Sequence, residues 1–227
     1  MIKCIWRWAA VRLGARFAFR LTGIPLRIGH PENLPKTGGV IVANHASYLD
    51  GLVLAAALPH PLVFIAKQEL SRKFFTTTLL RRLGTLFVAR WDPESGLRET
   101  DIATARAMEG RHVVFFPEGT FTAKSGLLPF MLGAFTVAMR SGLPVTPVTL
   151  RGTRHVMRGG QWMARRGRIH VMVSAPIIPD GEDFAAAVRL RDAARADILT
   201  HCDEPDLSHE HVTFGAFGET PRVTPGA

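Results

Sequence analysis

Apolar positions along the chain fall into short blocks that switch between two spacings. Compact β-rich runs cover 39–43, 62–66, 85–89, 112–116, 144–150 and 168–174, most of them flanked by Gly or Pro. Between them, segments with helical spacing cover 50–58, 70–82, 96–109, 128–141 and 183–200. This alternation predicts an α/β fold: a largely parallel or mixed central sheet with helices on both faces, preceded by a cationic N-terminal helical segment. The boundaries are 1–23 for that segment, 24–202 for the main domain and 203–227 for a polar, turn-rich tail expected to be partly disordered, most of all beyond Pro221. No internal repeat or low-complexity block interrupts the pattern.

At 227 residues and 47% hydrophobic, the chain can bury one sizeable core. Its two cysteines, Cys4 and Cys202, lie nearly the whole chain apart, which argues against a disulfide scaffold and fits a reducing compartment. The net charge is +9, and its distribution is uneven. Residues 1–31 hold six cations and no acid, and between Glu118 and Asp180 there are eight more with none. From Asp180 onward ten acids face four arginines. No aromatic-basic stacking motif or known module points to nucleic acid. The basic stretches suit anionic ligands or an anionic surface instead.

The first segment, MIKCIWRWAAVRLGARFAFRLTG, interleaves arginines with Trp6, Trp8, Phe17 and Phe19. Arginines interrupt every apolar run, so it reads neither as a membrane-spanning helix nor as a cleaved signal peptide. Nor are the arginines confined to one helical face. Tryptophan beside arginine suits a bilayer interface, where rings sit at head-group depth and guanidinium groups reach water. The alternative is a helix packed on the domain with its cations in solvent. We favour contact with an anionic membrane surface, peripheral and on the cytoplasmic side.

Three loops carry candidate chemistry. In NHASYLD, residues 44–50, His45 precedes Asp50 by five positions at a strand-to-helix turn, where α/β folds gather their chemistry. A carboxylate that orients an imidazole makes a general base. Asp50 as a helix-dipole partner and Ser47 as an N-cap in a capping box are the plainer readings. His201 and Asp206 repeat the spacing, but in a Pro-broken polar stretch with no strand before it. In FFPEGT, residues 115–120, an apolar run ends at Pro117 and a tight turn follows. Gly119 there permits positive φ or close approach of a ligand, and Thr120 caps a turn or binds an anion. In GTLFVAR, residues 84–90, Arg90 ends a strand as a surface charge or as a fork for phosphate. Gly159-Gly160 marks a turn in the basic connection 151–167, and Trp162 is assigned to the core rather than to a lipid-facing rim. No histidine pairing has metal-ligand spacing and no Gly-x-Ser-x-Gly elbow is present, so neither a metal nor a serine nucleophile is expected.

The ordered set NHASYLD, GTLFVAR, FPEGT and LPVTPV resembles the glycerolipid acyltransferase family, typified by 1-acylglycerol-3-phosphate acyltransferases. The resemblance runs from about Ile24 to about Asp180, with PENLPKTGGVIVANHASYLDG especially close. It implies transfer of an acyl group from acyl-CoA or acyl carrier protein, as co-substrate, to the hydroxyl of a lysophospholipid acceptor, with no cofactor. His45 would be the base and Asp50 its orienting acid. Arg90, Glu118, Gly119 and Thr120 would match acceptor-binding positions, and Pro144–Pro147 the last, structural motif. Two departures stand out. Phe121 occupies a position where relatives often carry Arg, and Met131 and Leu132 stand where a lysine often follows Pro-Phe. Lys124 is the nearby cation that would compensate. An acceptor without a terminal phosphate and a non-catalytic lipid-binding protein are the alternatives.

Overall fold

The computed structural model describes residues 2–67, 86–88, 93–122, 124–157, 163–213 and 222–225. The expected helix 70–82, Arg90, Gly159-Gly160 and Trp162 lie outside these residues.

A long helix, α1 (Ile2–Leu21), leads into an edge strand, β1 (Leu26–Gly29). Then follow β2 (Gly39–Ala43), α2 (Asp50–Ala57), β3 (Leu62–Lys67), β4 (Leu86–Val88), α3 (Pro93–Met108) and β5 (His112–Phe115). The second half holds α4 (Gly133–Ser141), β6 (Val145–Arg151), a single helical turn α5 (Thr153–Val156), β7 (Ile169–Val173) and α6 (Phe184–Cys202). Two short strands, β8 (Glu210–Thr213) and β9 (Arg222–Pro225), pair antiparallel with each other.

The first seven strands form one sheet in the order β1-β7-β6-β2-β5-β3-β4. From β6 to β4 all neighbours are parallel. β7 runs antiparallel to β6, and β1 follows β7 in parallel, so the sheet is mixed at that edge. The short α5 is no crossover helix, and the chain returns antiparallel. β2 lies at the centre and buries all five residues, as a strand covered on both faces must. Its Ile41 and Ala43 join the core under α1 and α2, while Val40 and Val42 join the core under α3, α4 and α6.

All six expected strands agree with observed ones to within a residue at each end. Expected helix 128–141 begins only at Gly133, because residues 127–131 run extended beneath α6. Arg195 of α6 holds them there, donating to the carbonyls of Leu127 (2.8 Å) and Leu128 (3.2 Å) and lying over the Phe130 ring. The start of the tail is more integrated than its polar sequence predicts. Leu127 N donates to Pro205 O, Leu207 N donates to Leu127 O, and Leu207 is buried. Both β1 and the β8–β9 pair are too short to announce themselves in the sequence pattern.

α1 accounts for the scattered charges of its sequence. Trp8, Ala15 and Phe19 form a buried stripe against the domain. Trp6, Leu13, Phe17 and Leu21 form a second apolar stripe, each at least 65% exposed. Both sets follow seven- and four-residue steps, so the helix is apolar on two sides. Among the described residues, no helix is long and apolar enough to cross a membrane.

Candidate active site

His45 stands two residues beyond the end of β2, in the turn that enters α2. The preceding Asn44 fastens that turn to the neighbouring strand: its Nδ2 donates to Leu150 O (2.9 Å) and its Oδ1 accepts from Leu150 N (2.7 Å). A strand end that would otherwise fray is thereby closed on both sides.

Asp50, the first residue of α2, is fully buried. Its Oδ2 accepts from Ala46 N (2.7 Å) and Ser47 N (2.8 Å) and lies 2.8 Å from His45 Nδ1. An oxygen already accepting two amides offers the ring an acceptor, so Nδ1 carries the proton and Nε2 is left with its lone pair. The expected capping box is half realised. Asp50 reaches back to Ser47 N, but Ser47 is not the N-cap: its hydroxyl accepts from Leu49 N and donates to Met157 O. Ser47 is fully buried and tied at both ends, which suits a structural role.

Aromatic rings hold the other sides of the imidazole. Phe116 stacks on it at 4.3 Å between centroids, and Phe121 meets it edge-on at 4.5 Å. Tyr48, 56% exposed, packs edge-on against Phe121 at 4.7 Å. The His45 side chain remains 20% exposed. The exposed part of the ring is therefore bordered by an aromatic wall.

Glu118 is 3% exposed, and both carboxyl oxygens are engaged. Oε1 accepts from His45 N (2.6 Å) and Oε2 from Leu128 N (2.9 Å), so one side chain ties the His45 turn to the extended 127–131 segment. Burial pushes this carboxyl up to about 8, against the pull of those two amides and of Arg154, while Asp50 adds to the rise. Gly119 takes φ +67°, which explains the glycine, and its N–H closes a turn onto Phe116 O (2.9 Å). Thr120 is half-buried beside it, and its hydroxyl makes only a long 3.5 Å contact to Phe121 O. Lys124 points elsewhere, to an ion pair with Glu210. Arg154, which the sequence did not single out, reaches the same loop, donating to Thr122 O (2.5 Å) and Glu204 Oε1 (2.8 Å).

The repeated spacing near the C-terminus makes no such site. His201 Nδ1 contacts Asp197 O (2.9 Å) within its own helix, and Asp206 pairs with Arg195. Among the described residues, no three His, Cys, Asp or Glu side chains converge as metal ligands do.

Residues 25–151 match the sequence profile of the family described as Acyltransferase. The chain belongs to that family. A chloroplastic 1-acyl-sn-glycerol-3-phosphate acyltransferase of Brassica napus is 32% identical over 180 residues, 78% of this chain and 50% of the relative. A 1-acyl-sn-glycerol-3-phosphate acyltransferase of Borreliella burgdorferi is 31% identical over 146 residues, 64% of this chain and 58% of the relative. The chain thus spans about half the length of these curated relatives. The crystal structure of an acyltransferase named for the same substrate, PlsC from Thermotoga maritima, shares the fold with TM-score 0.71 and 23% identity, covering 84% of this chain and 78% of that one.

Within this family member, the matched span begins at Pro25 and ends at Arg151, so it takes in Asp50, Phe116, Glu118 and Phe121, which touch His45 among the described residues. Asn44, Phe116 and Phe121 complete the site but were not among the residues picked out as its chemistry. Adjacency to the histidine was the available signal for Asn44. The aromatic packing had none, because it depends on β2 and β5 lying side by side.

Proposed function

We propose that the chain transfers an acyl group from a thioester donor, acyl-CoA or acyl carrier protein, to the free hydroxyl of a lysophospholipid, with 1-acylglycerol-3-phosphate the acceptor and phosphatidate the product. The observation that carries this reading is the 2.8 Å contact between His45 Nδ1 and a buried Asp50 at the mouth of the sheet. Nε2 takes the proton as the acceptor oxygen attacks the thioester carbonyl. Collapse of the tetrahedral adduct breaks the C–S bond, and the imidazolium returns the proton to the leaving thiolate. Asp50 stabilises that imidazolium without taking its proton. Base catalysis of this kind contributes about 10²–10⁴ in rate, roughly 3–5 kcal/mol of barrier.

Gly119 and Thr120 border the same turn and are offered as acceptor contacts, with Arg90 as the phosphate fork. Glu118 acts instead as a positioning residue through the His45 backbone. The exposed stripe of α1, flanked by Arg7, Arg16 and Arg20, rests on an anionic membrane surface, where the acceptor lies. We place it on the cytoplasmic side, where acyl thioesters and reduced cysteines occur. A second reading, an acceptor without a terminal phosphate, draws on Phe121 against His45 and on Lys124 being paired to Glu210. Purified chain offered lysophosphatidate, and lysolipids of equal acyl chain without a terminal phosphate, with both donor types decides between them. Preference for lysophosphatidate supports the first reading; preference for the others replaces it; no turnover with any pair removes both.

A further inference from the structure

The half of the sheet that runs antiparallel carries a basic surface unused by the chemistry above. Arg151, His170 and Arg27 stand in one row across β6, β7 and β1, since His170 pairs in register with both Arg151 and Arg27. Register partners share a face of the sheet. All three are exposed, although the same face of β6 is covered further back by α6. Between Arg151 and His170 of this row, α5 and the end of α6 lies a cleft of about 390 Å³, lined also by His155 and Arg168, while Arg27 stands in the row outside its lining. Gly152, at φ +84°, forms its floor: a Cβ there would sit 2.0 Å from Arg168 O, so only glycine lets the two segments meet.

Two carboxylates face the cleft. Asp203 pairs with Arg151 and Glu204 with Arg154. Arg168 and Arg27, among the described residues, have no carboxylate partner, and neither do His155 and His170. The cleft therefore keeps one uncompensated guanidinium, Arg168, in a concave setting, with Arg27 beside it in the row, and its size suits a small ligand rather than a protein surface. Its wall reaches the catalytic turn. Arg154 donates to Thr122 O, and the neighbouring Phe121 packs on His45.

We propose that this cleft holds the phosphate groups of the nucleotide end of coenzyme A, so that the acyl donor reaches His45 from the β7 side. The inference rests on the acyltransferase reading and specifies its donor. The acceptor phosphate fits the cleft poorly. It is carried on the carbon next to the reacting hydroxyl, and so must stay beside His45. In coenzyme A the whole pantetheine arm separates the sulfur from the nearest phosphate, enough to pass the Phe121–Thr122 wall.

The test measures binding of unacylated coenzyme A to the full chain by calorimetry, beside donor and acceptor KM values. Arg168→Glu should weaken coenzyme A binding about tenfold or more, and Arg27→Glu together with Arg168→Glu further still. Arg168→Lys should recover part of the loss, and 3′-dephospho-coenzyme A should bind wild type more weakly than coenzyme A. The acyl-CoA KM should rise with the binding constant while the lysophosphatidate KM stays within about threefold. Unchanged coenzyme A affinity in the glutamate variants overturns the assignment. So does a rise in acceptor KM alone, or a wild type that draws only on acyl carrier protein and ignores coenzyme A. Because binding is read without turnover, a chain that binds coenzyme A through Arg168 yet acylates nothing refutes the proposed function and leaves the cleft standing.

Discussion

One carboxyl side chain at the site faces the imidazole and another faces only backbone, and the two have different consequences. Asp50 touches the ring and sets its tautomer; Glu118 touches the amide of the same residue and sets its place. Removal of the imidazole should show this hierarchy. His45→Ala is expected to lower kcat/KM by at least about 10², whereas His201→Ala, whose ring contacts its own helix, leaves it within about twofold. Comparable rates for wild type and His45→Ala would end the mechanism. Glu118→Gln retains one acceptor but turns a donor toward either His45 N or Leu128 N. A mispaired buried group costs about 1–3 kcal/mol, so kcat should fall roughly five- to a hundredfold. The acceptor KM should move less than about threefold, since the side chain presents nothing to solvent. A KM effect with kcat unchanged would restore Glu118 to the acceptor-binding set implied by its motif.

At the scale of elements, α1 is the case where reading one dimension gave half the answer. Arginines spread around the wheel argued against an amphipathic helix, and the structure shows why the helix is nonetheless two-sided. One apolar stripe packs on α2 and the sheet; the other faces out. If the outer stripe meets lipid, co-sedimentation with anionic vesicles should combine an apolar and an electrostatic part. Phe17→Ser with Leu13→Ser should weaken it at every salt concentration, because burying each large apolar side chain is worth about 1.5–3 kcal/mol. Arg16→Ala with Arg20→Ala should weaken it chiefly at low salt. Vesicle binding untouched by both pairs would move the membrane contact to another element.

Across the whole molecule, two buried groups tie stability to pH in opposite senses. His112, 3% exposed at the start of β5 and stacked on His60 at 5.1 Å, has its imidazole pushed down to about 4 by burial first and the His60 charge second. Unfolded, it titrates near 6.5. Between these values the unfolded chain binds the extra proton, so stability falls as pH drops from about 6.5 to about 4, by up to roughly 3 kcal/mol. Glu118 acts the other way. Its raised carboxyl keeps a proton in the folded state that the unfolded state has released, so its contribution declines as pH rises from about 4.5 to about 8. Chemical denaturation across pH should therefore show His112→Gln losing less stability than wild type between pH 6.5 and 4. Equal acid slopes for the two proteins would show that His112 is not held neutral.

The sequence alone determined the alternation of strand and helix, because period-2 and helical spacings are local and survive in any context that buries them. It also determined the meeting of His45 with Asp50, because the two sit on one turn and come together through local geometry: five residues, one strand end, one helix start. Ser47 has a role other than the N-cap its sequence suggests, since a hydroxyl three residues before the first helical residue can cap the helix or bridge to Met157, and only the neighbour decides. Everything that depends on separated segments waited for the fold. Glu118 reaches across 73 residues to His45, and Asn44 across 106 to Leu150. The row Arg151–His170–Arg27 exists only because β7 turns back against β6 and β1 then joins it. Strand direction and register are settled by which faces can be buried together, a property of the assembled sheet that no single segment carries.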